Sequence, residues 1–231
     1  MASQGKPPVG ALKRNANTNV VPEGFADEQT LKRALAALQR GPIRFRRNNV
    51  IACEGDAADY IFLVVSGVVR SCKAFQNGDR SVVAFYLPGD LFGWDDQKCT
   101  LSVEAATDAM VLFIKRAGLM AIAAQEGRVA NFLLEITTTE LQRSQEHGLL
   151  MSRSAKCRVT SFLVDLSKRL GKTARVDLPM SHQDIADHLG LTIETLSRTI
   201  TDLEHSGVIT RSSSSRKLIV QNRSALLHAA I

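Results

Sequence analysis

Glu194 and Arg198 are the residues of this 231-residue chain whose types and spacing point most directly to chemistry with a partner. They stand four apart in the run TIETLSR (192–198), among the small hydroxyl residues Thr192, Thr195 and Ser197. A guanidinium presents a planar fork of donors suited to O6 and N7 of guanine, and a carboxylate accepts from the N4 amino group of cytosine. On one helix face, four apart, the two could serve a single G·C pair or its neighbours, with Ser197 assisting. The same spacing also fits an ion pair on a solvated face, worth roughly 0.2–0.5 kcal/mol. Other reactive residue types form no such constellation. Cys53, Cys72, Cys99 and Cys157 are spaced too widely and irregularly for a zinc site or a small disulfide framework. Reduced thiols in a cytoplasmic protein are expected, with redox modification of one of them left open. No nucleophile–base pair, phosphate-binding glycine loop or metal-ligand spacing is present, so neither an enzyme nor a metal or other cofactor is predicted.

The elements that must hold Glu194 and Arg198 are legible. Leu196, Ile200 and Leu203 recur at i, i+4, i+7 and form the buried stripe of an amphipathic helix. Upstream, Ile185 and Leu189 form a second, shorter stripe. Ser181 three residues before Asp184 resembles a capping box opening that first helix. Gly190 between the stripes is the expected C′ residue of a tight turn. Two short helices about such a turn make a helix-turn-helix, whose second helix enters the DNA major groove. Ser181, His182, Thr192, Ile193 and Thr195 flank the motif as further candidate DNA contacts. The charge agrees: residues 150–231 carry 12 Lys+Arg against 7 Asp+Glu, +5 of the +6 total, which suits a polyanion. Beyond the second helix, VITRSSSSRKLIV (208–220) reads either as a β-hairpin wing with Arg211 and Arg216 placed for phosphate contact, or as a plain surface loop.

The rest of the chain supplies the frame. Residues 1–24, rich in Pro, Gly, Asn and Lys, are predicted to form a flexible arm, and 27–40 a short helix with Leu31, Leu35 and Leu38 on one face. From about 43 to 115, β-branched and aromatic runs separated by Gly, Pro and Asp predict many short strands, with Asn77-Gly78-Asp79 at a hairpin. Residues 116–150 are predicted mainly helical. Leu134 and Leu141, with Ile136, Thr137, Ser144 and Gly148 near them, mark either a seam, though its composition makes a poor coiled coil, or a helix packed only on its own β-roll. In 151–171, Val159, Phe162, Leu163, Leu166 and Leu170 form the apolar face of another helix. No stretch approaches the roughly 18 apolar residues that span a bilayer, so no membrane partner is expected. The start lacks the apolar segment of a secretory signal.

The run QDIADHLGLTIETLSR resembles the helix-turn-helix of the Crp/Fnr superfamily of bacterial transcription regulators, and is similar to its Fnr and FixK branch, whose reading helix carries E-x-x-S-R. EGDAADYIFLVVSGVVR (54–70) and LPGDLFG (87–93) resemble the β-roll sensor domain of the same superfamily, shared with cyclic-nucleotide-binding proteins. The resemblance implies an α+β architecture: an N-terminal β-roll over 25–116, a dimerisation helix region over 117–150, and a winged helix-turn-helix DNA-binding domain over 151–231. It implies a homodimer paired through the 134–148 seam, a TTGA-N6-TCAA-like inverted repeat, RNA polymerase as a partner, and genes of low-oxygen respiration or nitrogen fixation. Half-site centres about ten base pairs apart suit a two-fold dimer on one face of the duplex.

Against the superfamily pattern, the sensor half lacks ligands. Cyclic-nucleotide binders carry a Gly-Glu pair after the G-D-x-x-G turn, and an Arg-Ser pair some ten residues later. Here Trp94 follows Gly93, and Cys99 and Thr100 stand at the phosphate-gripping positions. An indole cannot accept hydrogen bonds from ribose hydroxyls, and a thiol cannot neutralise a phosphate. Residues 1–52 hold no cysteine for an Fnr-type iron–sulfur cluster. All five histidines lie at or beyond position 147, leaving the roll no imidazole for haem. These gaps match the FixK subgroup, and predict regulation without a small-molecule effector.

Overall fold

Strand β3 (Tyr60–Ser66) has apolar residues on both faces, and the fold buries both. Phe62 and Val64 point into a cluster with Val69, Phe92, Val103 and Val111, between two four-stranded antiparallel sheets. Ile61 and Leu63 point the other way, onto Leu119, Val129 and Leu133 of two following helices. A strand buried on both faces reads as a continuous apolar run, as this one does.

The structure is a computed structural model and describes residues 39–171, 175–211, 217–221 and 226. One sheet has the order β1 (Gln39–Phe45), β8 (Ala109–Lys115), β3, β6 (Leu91–Phe92). The other has the order β2 (Val50–Ala52), β7 (Ser102–Ala105), β4 (Val69–Ala74), β5 (Arg80–Tyr86). Together they form the β-roll. The turn joining β3 to β4 requires glycine: at Gly67, φ is +78°, and a Cβ would lie 2.2 Å from the Asp108 carbonyl oxygen. The Asn77–Asp79 hairpin joins β4 to β5 as expected, closed by a Phe75 N–H donating to the Asp79 carbonyl at 2.9 Å.

One expectation fails at the N-terminal edge. The arm over 1–24 and most of the 27–40 helix lie outside the described residues, but Gln39 and Arg40 belong to β1, paired with Ile114 and Phe113. Pro42 disfavours helical geometry at Gly41, and β8 offers a ladder, so the chain there extends instead.

Helix α1 (Arg116–Gln125) and helix α2 (Gly127–Leu150) follow the roll. Then come α3 (Ala155–Arg169), β9 (Arg175–Asp177), α4 (His182–Leu189), α5 (Ile193–His205), β10 (Ile209–Arg211) and β11 (Lys217–Val220). The last strands form a sheet in the order β10-β11-β9, so the two arms of the expected wing, 209–211 and 217–220, are paired strands, and its SSSSR tip lies outside the described residues. Its third strand, β9, has no strong apolar pattern, and the sequence reading missed it. A single cluster joins Val68, Val82, Phe85 and Leu87 of the roll to Phe162, Leu166, Ile185, Leu189, Leu196 and Leu203 of the helices. The roll and the helix-turn-helix therefore share one core.

Candidate nucleic-acid interface

Helix α5 is set by three buried residues and a threonine cap. Leu196, Ile200 and Leu203 are buried, and Thr192 at the N-cap accepts from the Thr195 N–H at 3.1 Å. That anchoring turns Thr192, Ile193, Glu194 and Arg198 to solvent, with Thr195 and Ser197 half-buried beside them. The side chains of Glu194 and Arg198 form no ion pair or hydrogen bond among the described residues. The carboxylate and the guanidinium thus stay available to an external partner. Ile193, 37% exposed, gives the same face an apolar element.

Helix α4 is fixed at both ends. Ser181 accepts from the Asp184 N–H at 3.1 Å, and Gly190 stands at φ +59°, where a left-handed terminus favours glycine. Arg158 of α3 donates to the Leu189 and Gly190 carbonyls at 3.0 and 3.3 Å, satisfying groups left open at the helix end. The expected capping box is only half formed. Its acid, Asp184, is 2% exposed and receives both nearby arginines of the roll.

These arginines create the contact that sequence reading did not find. Arg70 of β4, 4% exposed, donates to both Asp184 carboxylate oxygens at 2.8 Å and to Glu104 of β7 at 2.6 and 3.1 Å. Arg80 of β5 reaches Asp184 at 2.6 Å and Asp187 at 3.1 Å. Burial alone would raise the Asp184 carboxyl, but the Ser181 hydroxyl, Arg70 and Arg80 outweigh it and hold it below its ordinary value. The signal was present: a cation inside the apolar run YIFLVVSGVVRSC must find a buried acid. Which acid it finds, 114 residues away, depends on the fold.

A second contact lies along the same seam. The His188 ring sits edge-on to Phe85 and Phe162 and stacked on His147, with Nδ1–H donating to the Val82 carbonyl at 3.0 Å. Burial, then the neighbouring His147, push its pKa down to about 4, so the ring is neutral near pH 7. A cavity of about 440 Å³ opens beside it, walled by Phe85, Tyr86, Arg143, His147 and Phe162.

Ser181 and His182 are half-buried at the start of α4. Arg211 ends β10, opposite Leu218, and Arg216 lies outside the described residues. Leu134, Thr137, Leu141, Ser144 and Gly148 all lie on the exposed side of α2, with Leu134 65% and Leu141 58% exposed. In the roll, Trp94 packs against the cluster around Ile61 and Leu63. Cys99 is buried, with its thiol pushed up by burial and then by Asp95 and Asp56. Cys72 and Cys157 are also buried, and Cys53 is exposed. Thr100 donates its hydroxyl to Asp95 at 2.6 Å. Arg116 is committed to the Ala58 carbonyl at 2.8 Å and to that of Gly93. Among the described residues no group of His, Cys, Asp or Glu could hold a metal ion, and no helix is long and apolar enough to cross a membrane.

Comparison with known proteins agrees with this arrangement. Residues 157–229 match the Crp-like helix-turn-helix domain and residues 42–126 the cyclic nucleotide-binding domain. The chain is 44% identical to the nitrogen fixation regulation protein FixK of Azorhizobium caulinodans, over 87% of this chain and 84% of that one. It is 33% identical to the transcriptional activatory protein AadR of Rhodopseudomonas palustris, over 80% of this chain and 78% of that one. The solved structure of FixK2 from Bradyrhizobium japonicum superposes with a TM-score of 0.78 at 36% identity, covering 82% of this chain and 96% of the other. A β-roll joined through one core to a winged helix-turn-helix, and homologues that are transcription regulators rather than enzymes, lead to one assignment: the chain belongs to the Crp/Fnr family of DNA-binding transcription regulators, in its FixK-type branch.

Proposed function

We propose that this chain activates transcription as a homodimer on a TTGA-N6-TCAA-like inverted repeat, without a small-molecule effector. The observation that carries the proposal is the exposed, unpartnered Glu194–Arg198 pair on the outer face of α5. Arg198 reads guanine O6 and N7, Glu194 accepts from a cytosine N4 amino group, and Ser197 supports them. Thr192, Ile193, Thr195, Ser181 and His182 complete the DNA-facing edge, and Arg211 and Arg216 of the wing hold phosphates. The dimer forms through the α2 seam, whose Leu134 and Leu141 otherwise stand in water. Thr137, Ser144 and Gly148 are small enough to let the two helices approach closely.

Absence of an effector rests on the roll: Trp94 and Cys99 replace a ribose acceptor and a phosphate cation, and Arg116 is engaged with backbone carbonyls. By likeness to the Azorhizobium nitrogen fixation regulation protein, the target genes concern nitrogen fixation, and the family resemblance adds low-oxygen respiration and RNA polymerase as the second partner. Selection of bound sites from random DNA by the purified, ligand-free protein tests the reading. An enriched palindrome bound by two chains per duplex is expected; enrichment of no sequence overturns it.

A second reading is a regulator gated by an unidentified small molecule. The cavity of about 440 Å³ favours it, since its size suits a small ligand. It lies between β5, α2, α3 and α4, outside the nucleotide-binding position of the roll.

A further inference from the structure

The end of β1 and the turn into β2 carry three exposed arginines, Arg44 on the strand and Arg46 and Arg47 in the turn, in the stretch RFRRNN. Its backbone is tightly held. Asn49 donates to the Arg46 carbonyl at 2.9 Å, and its side chain accepts from the Arg46 N–H at 2.9 Å. Asn48, at φ +65°, donates to the Ala105 carbonyl at 2.7 Å, and the Arg47 N–H donates to Asp108 at 3.0 Å. Asp108 also meets the Arg44 guanidinium at 3.4 Å. The guanidinium groups of Arg46 and Arg47 have no acidic partner among the described residues. The nearby acids Glu104 and Asp184 are taken by Arg70 and Arg80.

The position of this turn gives it meaning. Asn48 Oδ1 accepts from one Arg70 nitrogen at 3.1 Å, and another nitrogen of the same guanidinium holds Asp184 at 2.8 Å. Two hydrogen bonds through one side chain therefore separate the arginine turn from the first turn of α4. In a helix-turn-helix the first helix lies across the DNA backbone, and helix N-termini and arginines are recurrent phosphate ligands. We propose that the β-roll itself contributes to DNA binding: Arg46 and Arg47 contact backbone phosphates outside the half-site read by α5. The Arg70–Asp184 pair seats the roll so that these arginines continue the Ser181–His182 edge. A fixed turn loses little entropy on binding, and an unpaired guanidinium breaks no ion pair to take a phosphate. This inference rests on the base-reading assignment of α5.

The test uses the full chain, its R46Q/R47Q variant, and a control variant K98Q/K115Q. The control removes the same charge from the other end of the roll: β8 runs from Ala109, paired with Phe45, to Lys115, paired with Tyr60, and Lys98 bridges Ala57 just before β3. Each protein is titrated against two duplexes bearing the selected palindrome: one ending at the half-sites, one extended by about one helical turn on each side. Expected is a steeper salt dependence for the wild type on the long duplex than on the short one. R46Q/R47Q should lose that difference, with the slope of log affinity against log salt falling by about one unit per arginine. Its affinity for the short duplex, its selected sequence and its unfolding temperature should match the wild type, and K98Q/K115Q should retain the wild-type slope. Equal slopes for R46Q/R47Q and wild type on the long duplex overturn this inference alone. A wild type that selects no palindrome overturns the base-reading assignment and this inference together.

Discussion

On the proposed reading Arg198 binds a guanine edge, and nothing within the described residues competes for its guanidinium. Arg198→Ala is therefore expected to cost about 1–3 kcal/mol of specific binding and to relax preference at the guanine it reads. Glu194→Ala should chiefly widen tolerance at the cytosine or its neighbour. Selected-site profiles of the two variants check this, and wild-type preference in both would mark a mere surface charge pair. His188 raises a different residue-scale question. Its folded pKa of about 4 lies below the ordinary 6.5, so on acidification the unfolded chain takes up the proton first. The buried neutral ring thus contributes full stability above pH about 6.5, and that contribution is lost as pH falls towards about 4. Unfolding titrations should show a loss of roughly 2 kcal/mol between pH 7 and 5. In His188→Asn, which keeps a donor for the Val82 carbonyl, most of that slope should disappear; an unchanged slope would assign it to other groups, His147 first.

At the level of elements, the decisive junction is α4 against β4 and β5. Apolar contacts from Val82 and Phe85 to Ile185 and Leu189 supply affinity there, but apolar packing is compatible with several relative angles. The charged cluster narrows the choice, since Asp184 between Arg70 and Arg80 accepts only one seating. Removing one partner leaves a buried charge uncompensated. Arg70→Met should destabilise the chain by about 3–5 kcal/mol, whereas Arg70→Met with Asp184→Leu should recover most of the loss. Thermal unfolding of the single and double variants distinguishes a cluster that adds stability from one that chiefly fixes orientation. Equal destabilisation in both would show that the remaining acid, Glu104, depends on Arg70 as much as Asp184 does.

For the whole molecule, the question is what sets the population that binds DNA. A ligand shifts a conformational equilibrium only through different affinity for its two states. With the helix-turn-helix already held to the roll by a shared core and an ion cluster, the free protein is expected to bind its palindrome without help. Operator affinity measured with and without millimolar cyclic AMP should be unchanged. A large gain would overturn the effector-free reading and favour a ligand-gated regulator.

Local chemistry made much of this legible from sequence. The stripes Ile185/Leu189 and Leu196/Ile200/Leu203, the Ser181 cap and Gly190 fix two helices and a turn through contacts within a few residues, and they in turn expose Glu194 and Arg198. The strands of the roll were readable as apolar runs between turn residues, because alternate side chains pack on opposite faces of the sheet. The extended course of Gln39 and Arg40 was not readable, since a helical spacing of leucines gives way to pairing with β8, over 70 residues later. The short strand β9 was hidden for the same reason: its partner, β11, defines it. Pairing of Arg70 with Asp184, the placing of Asn48 beside it, and the enclosure of His188 by Phe85 and Phe162 belong to tertiary structure alone. The sequence determined which charges had to be compensated; only the folded chain decided by which partner, because the energy of burying a charge depends on groups that sequence distance does not constrain.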